Sequence, residues 1–205
     1  MPPGTWRAGA RGCPAVTRPS PAGTVAAVST VDKAPQETAD WIIRDATDRD
    51  WPGIWEILEP VIRAGETFTW DRDTTEDAAR AKWVKTAPGR TFVAVGTGEH
   101  DGVVLGTGEL HANQGGGGRH VANAGYMVRA GFGGRGLARA LCTYSLDAAR
   151  REGFRAMQFN AVVETNVRAV AAWQGMGFTV LATIPEAFRH PEHGLVGLHV
   201  MHRML

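Results

Sequence analysis

Four glycines, Gly131, Gly133, Gly134 and Gly136, crowd a six-residue loop ahead of a long helix. Without Cβ atoms such a loop lets a ligand approach the backbone closely. Its N–H groups, at the positive end of the helix dipole, suit a bound phosphate. Proton chemistry has its own candidates. Glu109 sits on an apolar strand, and Glu66 shares a short segment with Phe68 and Trp70. Either carboxylate could take a proton from an amine, and aromatic walls beside one carboxylate suit an ammonium-bearing substrate. A water held by Asn123 and Tyr126 is a third route. Asn160, with Glu164, points to the same face as Val162 if that strand stays regular. His199 and His202, three apart on a strand, face opposite ways, and His190 and His193 have no Cys or acidic partner pattern, so no metal site is expected.

These residues need a scaffold, and hydrophobic periodicity supplies one. Residues 41–46 read as a strand. Asp48 is a plausible N-cap for a helix to about residue 63, with Trp51, Ile54, Trp55, Leu58, Val61 and Ile62 on one stripe and Gly65 ending it. A second helix spans about 75–85, before Pro88. Strands follow at 91–95, 103–111 and 121–128, the last two joined by the glycine-rich residues 114–119, read as a loose, mobile hairpin. A helix over 134–152 carries Leu137, Leu141, Tyr144, Ser145 and Ala148 on one face. A buried strand at 156–163, a helix at 166–176 and strands at 178–188 and 195–204 close the chain. There is no internal repeat.

Two motifs then coincide. Gly134-Arg135-Gly136-Leu137-Ala138 fits a Gly-x-Gly-x-Gly/Ala core, and about thirty residues later Asn166, Ala169, Gly177 and Phe178 fit N-x-x-A-x-x-x-Y-x-x-x-G-F. In that order and separation the chain resembles the GNAT superfamily of acetyl-CoA-dependent N-acetyltransferases. The Ile-Arg-x-Ala start, the Gly-Glu-Thr-Phe segment and Trp83 are most like its phosphinothricin-type and small-amine branches. The resemblance covers about residues 41–205. It implies an α/β fold with a mostly antiparallel sheet of about seven strands, splayed between strands 4 and 5 and flanked by about four helices. It assigns acetyl-CoA to Met127, Val128, Gly133, Gly134, Arg135, Gly136, Leu137, Ala138, Arg139, Asn166 and Trp173. The Val128 N–H would polarise the thioester carbonyl. Glu66, Phe68, Trp70 and Asn160 fall to the acceptor. A dinucleotide-binding loop would come early in a βαβ unit, and this one follows several antiparallel strands.

The chain departs from the family pattern in places. Gly133 replaces a Gln or Arg that contacts phosphate, leaving Arg135 or Arg139 to supply the charge. Trp173 stands where a tyrosine often protonates the departing thiolate, and Asn123 where phosphinothricin-type enzymes often carry a carboxylate. The reaction remains feasible, because a thiol of pKa near 8.5 leaves without a strong acid. Glu109 is the first choice as base, with Glu66 and the Asn123–Tyr126 water as alternatives.

Bulk properties narrow the setting. Net charge is +1 over 205 residues, with no basic block to expect nucleic acid and no apolar run of membrane length. Two cysteines, Cys13 and Cys142, make no disulfide framework, which favours a reducing, cytoplasmic setting. Residues 1–38 hold six of the eleven prolines and read as a disordered extension; their broken apolar stretch does not suit a secretory signal. Residues 39–205 are expected to form one domain that acetylates a small-molecule primary amine: an amino acid, an amino-acid-like antibiotic or a polyamine. A protein N-terminus or lysine is the alternative acceptor, and a catalytically weak acyl-CoA sensor the non-enzymatic alternative. A homodimer is an expectation from the family alone.

Overall fold

The computed structural model describes residues 40–205, so the extension read over 1–38 lies outside the described residues. Seven strands form one mixed sheet: β1 (Trp41–Asp45), β2 (Arg90–Gly96), β3 (Val104–Ala112), β4 (Val121–Val128), β5 (Ala156–Val163), β6 (Thr179–His190) and β7 (Gly194–Met204). Their spatial order is β1-β2-β3-β4-β5-β7-β6. Every neighbouring pair is antiparallel except β4 and β5, which run parallel. The expected architecture is therefore present, with four α-helices among the described residues.

The sheet separates two cores. Helices α1 (Trp51–Ala64) and α2 (Glu76–Trp83) cover one face, burying Ile54, Leu58, Ile62 and Trp83 against Val93, Val95 and Met127. Helices α3 (Leu137–Arg151) and α4 (Val167–Gly175) cover the other, where Leu137, Leu141, Leu146 and Trp173 meet Phe92, Leu110, Ala124 and Phe159. Alternation along the strands explains the division: Phe92 and Ala94 point one way, Val93 and Val95 the other.

Three boundaries differ from the sequence reading. Residues 48–50 form a 3₁₀ turn, and α1 begins at Trp51. The cause is Asp50. Its carboxylate accepts from the Thr47 N–H at 2.7 Å and is held bidentate by Arg44 at 2.7 and 2.8 Å, in a capping box whose N-cap is Thr47 rather than Asp48. The Arg44 guanidinium lowers the Asp50 pKa to about 2. Helix α3 starts at Leu137, because Gly134 and Gly136 adopt positive φ and lie outside it. Within residues 114–119 the chain forms a 3₁₀ turn at Gly116–Gly118.

Candidate active site

Strands β4 and β5 pair at only two positions, Val121↔Ala156 and Ala122↔Met157. Beyond them β5 turns to β7, so the edge of β4 from Asn123 onward has no strand beside it. On its other edge β4 stays in regular register with β3 from Ala122 to Val128. The Arg129 N–H donates to the Leu105 carbonyl at 2.8 Å, toward β3. By alternation the Val128 N–H points the other way, into the gap. A cavity of about 430 Å³ fills this gap and reaches both faces of the sheet.

On the α3–α4 side the cavity is lined by Tyr126, Phe159, Asn166, Ala169 and Trp173. Asn166 caps α4, its Oδ1 accepting from the Ala169 N–H at 3.2 Å, so the motif asparagine is both a helix cap and part of the wall. The Trp173 indole packs on Tyr126 and Phe159, at ring separations of 5.3 and 5.6 Å. Beyond the strand end lies the glycine loop. Gly131, Gly134 and Gly136 have φ of 84°, 81° and 84°, and a Cβ at any of them would meet open space. The first turn of α3 carries no acidic residue and no side-chain cap, leaving its N–H groups free for an anion. Arg135 lies over the Phe132 ring at 5.1 Å, and Arg139 reaches toward Gly175. Neither makes an ion pair among the described residues.

On the α1–α2 side the wall is Val61, Thr67, Phe68, Thr69, Glu109, Asn123 and Gly125. Glu109 is buried, at 8% exposure, rather than the solvated surface carboxylate typical of a strand glutamate. Its Oε2 lies 2.6 Å from His111 Nδ1 and 3.7 Å from Lys85 Nζ. Its Oε1 sits over Gly125, where a Cβ would come within 3.1 Å of it. Asn123 shares this face, its Oδ1 accepting from the Ala124 N–H at 2.8 Å. Asn160 also lines the cavity, joined to Asn113 at 2.6 Å and to Gln158 at 2.8 Å.

Several sequence expectations need correction. The Tyr126 hydroxyl does not share a water with Asn123, because the two side chains lie on opposite faces of β4. The Tyr126 hydroxyl is on the α3 side, 2.6 Å from Ser145 Oγ, and burial pushes its pKa well above the ordinary value. Glu66 is exposed and lies outside the cavity wall. Trp70 also stays outside the wall: it packs edge-on against Phe68 and Trp83, at 6.3 and 6.1 Å, while Lys82 lies over its ring. Strand β5 is not regular. Its register against β7 shifts between Phe159 and Val162, which puts both of these on the α4 side and breaks the shared face expected for Asn160 and Val162. Glu164 closes the strand instead, accepting from the Gly197 N–H at 2.5 Å. His111 was missed, although its place two residues after Glu109 on a strand puts the two on one face. Lys85 lies in irregular chain past α2, where no pattern points to it.

Comparisons with known proteins agree with this arrangement. The profile of the Acetyltransferase (GNAT) family matches residues 51–178. The chain belongs to the GNAT acetyltransferase family. A GCN5-related N-acetyltransferase from Kribbella flavida is similar at 51% identity and TM-score 0.77, over 81% of this chain and 98% of its own. A phosphinothricin acetyltransferase from Sinorhizobium meliloti, solved with AcCoA, shares the fold at 20% identity and TM-score 0.70, over 81% of this chain and 89% of its own. N-acetyltransferase aca1 of Schizosaccharomyces pombe is 32% identical over 74 residues; the match spans 36% of this chain and about a third (35%) of the yeast protein's length. Membership places the chain among acetyl-CoA-dependent N-acetyltransferases. Among the described residues, no helix is long and apolar enough to cross a membrane.

Proposed function

We propose that residues 39–205 form a catalytic domain that moves an acetyl group from acetyl-CoA to the primary amine of a small molecule. The acceptor class is an amino acid, an amino-acid-like antibiotic or a polyamine. One observation carries this reading: a single cavity joins the free edge of β4 and the capped end of α4 to an aromatic wall holding a buried carboxylate. Its volume of about 430 Å³, with Val61 and Phe68 in its wall, suits a small ligand. The buried, free Cys142, its thiol pKa raised to about 12 by burial, accords with a reducing cytoplasm.

The steps follow from the side chains present. The glycine loop and the first turn of α3 hold the pyrophosphate, and Asn166 meets the pantetheine arm. An ammonium beside Glu109 gives a proton to Oε1, and the neutral amine attacks the thioester carbon. The Val128 N–H stabilises the developing oxyanion. The C–N bond forms, the C–S bond breaks, and the second proton on the attacking nitrogen passes through solvent to the departing thiolate, so no proton is needed from Trp173, whose indole is not an acid at working pH.

The test is thiol release from acetyl-CoA with a pool of amino acids, spermidine and kanamycin, beside calorimetric titration of CoA. Release supports the transferase and begins to name the acceptor. Micromolar CoA binding without release moves the reading to a protein acceptor or a sensor, roles that Asn123 and Trp173 in place of acid–base groups would suit. No CoA binding overturns it.

A further inference from the structure

Glu109 has two oxygens in different surroundings. Oε2 faces His111 Nδ1 at 2.6 Å and Lys85 Nζ at 3.7 Å, while Oε1 makes no hydrogen bond among the described residues and lies over Gly125 in the cavity wall. Neither His111 nor Lys85 lines the cavity; both reach the carboxylate from behind. Lys85 is fixed there by its backbone. Its N–H donates to Thr91 Oγ1 at 3.0 Å, and that hydroxyl donates to the Trp83 carbonyl at 3.0 Å. The ammonium also donates to the Lys82 carbonyl at 2.5 Å. His111 is held by the sheet and is a third exposed, its side chain showing 33% of its surface.

We propose that His111, hydrogen-bonded to Oε2, and Lys85, ion-paired with it, form a brace that commits Oε1 to the acceptor amine. The inference rests on Glu109 being the base. A neutral imidazole can stand 2.6 Å from a carboxylate oxygen only by donating, so the brace selects the Nδ1–H tautomer and leaves Nε2 toward solvent. The His111 hydrogen bond and the Lys85 ion pair both anchor Oε2. They also stop the carboxyl group from turning Oε2 toward the cavity, so the lone pair that meets the ammonium has a fixed direction. The other elements packed on Glu109 bring no competing charge to this face: α2 presents Trp83, β2 presents Thr91, and β4 presents Asn123 and Gly125, with the Tyr126 phenol across the sheet. His111 and Lys85 are thus positioning residues, acting through Glu109.

The experiment compares wild type with H111A, H111N and K85M in the full chain. Asparagine at 111 keeps a donor near the place of Nδ1 and cannot ionise. E109Q, which keeps the shape of the side chain but cannot accept a proton, is measured beside them as the control for the base itself. With the amine pool as acceptor, kcat should fall about tenfold in H111A, the scale of one hydrogen bond to a charged group, and recover in H111N. The KM for acetyl-CoA should stay put in all of them, so the loss is confined to kcat. An H111A enzyme at full rate when E109Q is inert overturns the brace, as does an H111N enzyme no faster than H111A. Full turnover by E109Q would instead remove Glu109 as base, a separate failure read from E109Q alone.

Discussion

In the proposed reaction the two faces of β4 do different work with different chemistry. Toward α3 and α4 the wall is backbone and apolar ring: the Val128 N–H, the open glycine loop, Trp173, and a Tyr126 hydroxyl spent on Ser145. Toward α1 and α2, across from the other face of the same strand, lie the ionisable groups: Glu109 and His111 of β3 and Lys85 past α2, beside the amides of Asn123 and Asn160. The difference teaches that an extended strand can separate binding from proton transfer by alternation alone. A cofactor arm needs groups that do not change charge, so backbone and aromatics suffice. An ammonium that must lose a proton needs a carboxylate, and the sheet keeps that carboxylate away from the thioester's own donors.

The largest test of this separation is Glu109→Gln. The amide keeps the shape of the group and can still pair with His111, but it cannot accept a proton. Turnover should fall by about 10²- to 10⁴-fold, the usual range for a general base, while CoA affinity stays within error in calorimetry. A parallel loss of CoA binding would mean that the faces are not independent.

Gly136→Val tests the opposite face. Nothing lies within 4 Å of a Cβ at this position, so no clash arises inside the protein. The strain of a branched residue at φ 84° is about 1–2 kcal/mol, and the side chain stands where phosphate must approach the loop. CoA affinity should fall about tenfold or more, and kcat at saturating acetyl-CoA should hold. If kcat falls while affinity holds, the loop positions the reacting carbonyl rather than the pyrophosphate.

The same contrast explains what was legible beforehand. Backbone work leaves a pattern in the sequence: glycines where φ must be positive, an asparagine where a helix needs a cap, and apolar alternation on either side. Hence the seven strands, the four helices and the glycine loop could be read from residues alone. Side-chain chemistry on the other face depends on which strands lie side by side. Lys85 reaches Glu109 across 24 positions of chain, and Trp70 looks like an acceptor wall until Phe68 and Trp83 occupy its faces. The β5 irregularity was equally hidden, since Phe159 and Val162 read as ordinary strand residues until their pairing with β7 is known. Tyr126 was misplaced because its partner, Ser145, comes from a helix on the far side.

The smallest expected effect, Tyr126→Phe, is the sharpest check on that face. The Tyr126 hydroxyl lies 2.6 Å from Ser145 Oγ, and Ser145 in turn donates to the Cys142 carbonyl at 2.8 Å. Removing the phenol oxygen leaves Ser145 with that acceptor, so no donor is stranded. The cost should be about 1 kcal/mol of stability, seen as a lower denaturant midpoint. Burial holds the phenol well above its ordinary pKa, so it stays protonated throughout the working range and has no proton to exchange with the amine. Turnover and its pH profile should therefore match wild type between pH 6 and 9. A loss of a hundredfold or more would make Tyr126 the acid that Trp173 cannot be, bringing proton transfer onto the cofactor face of β4 and dissolving the division of labour between the two sides.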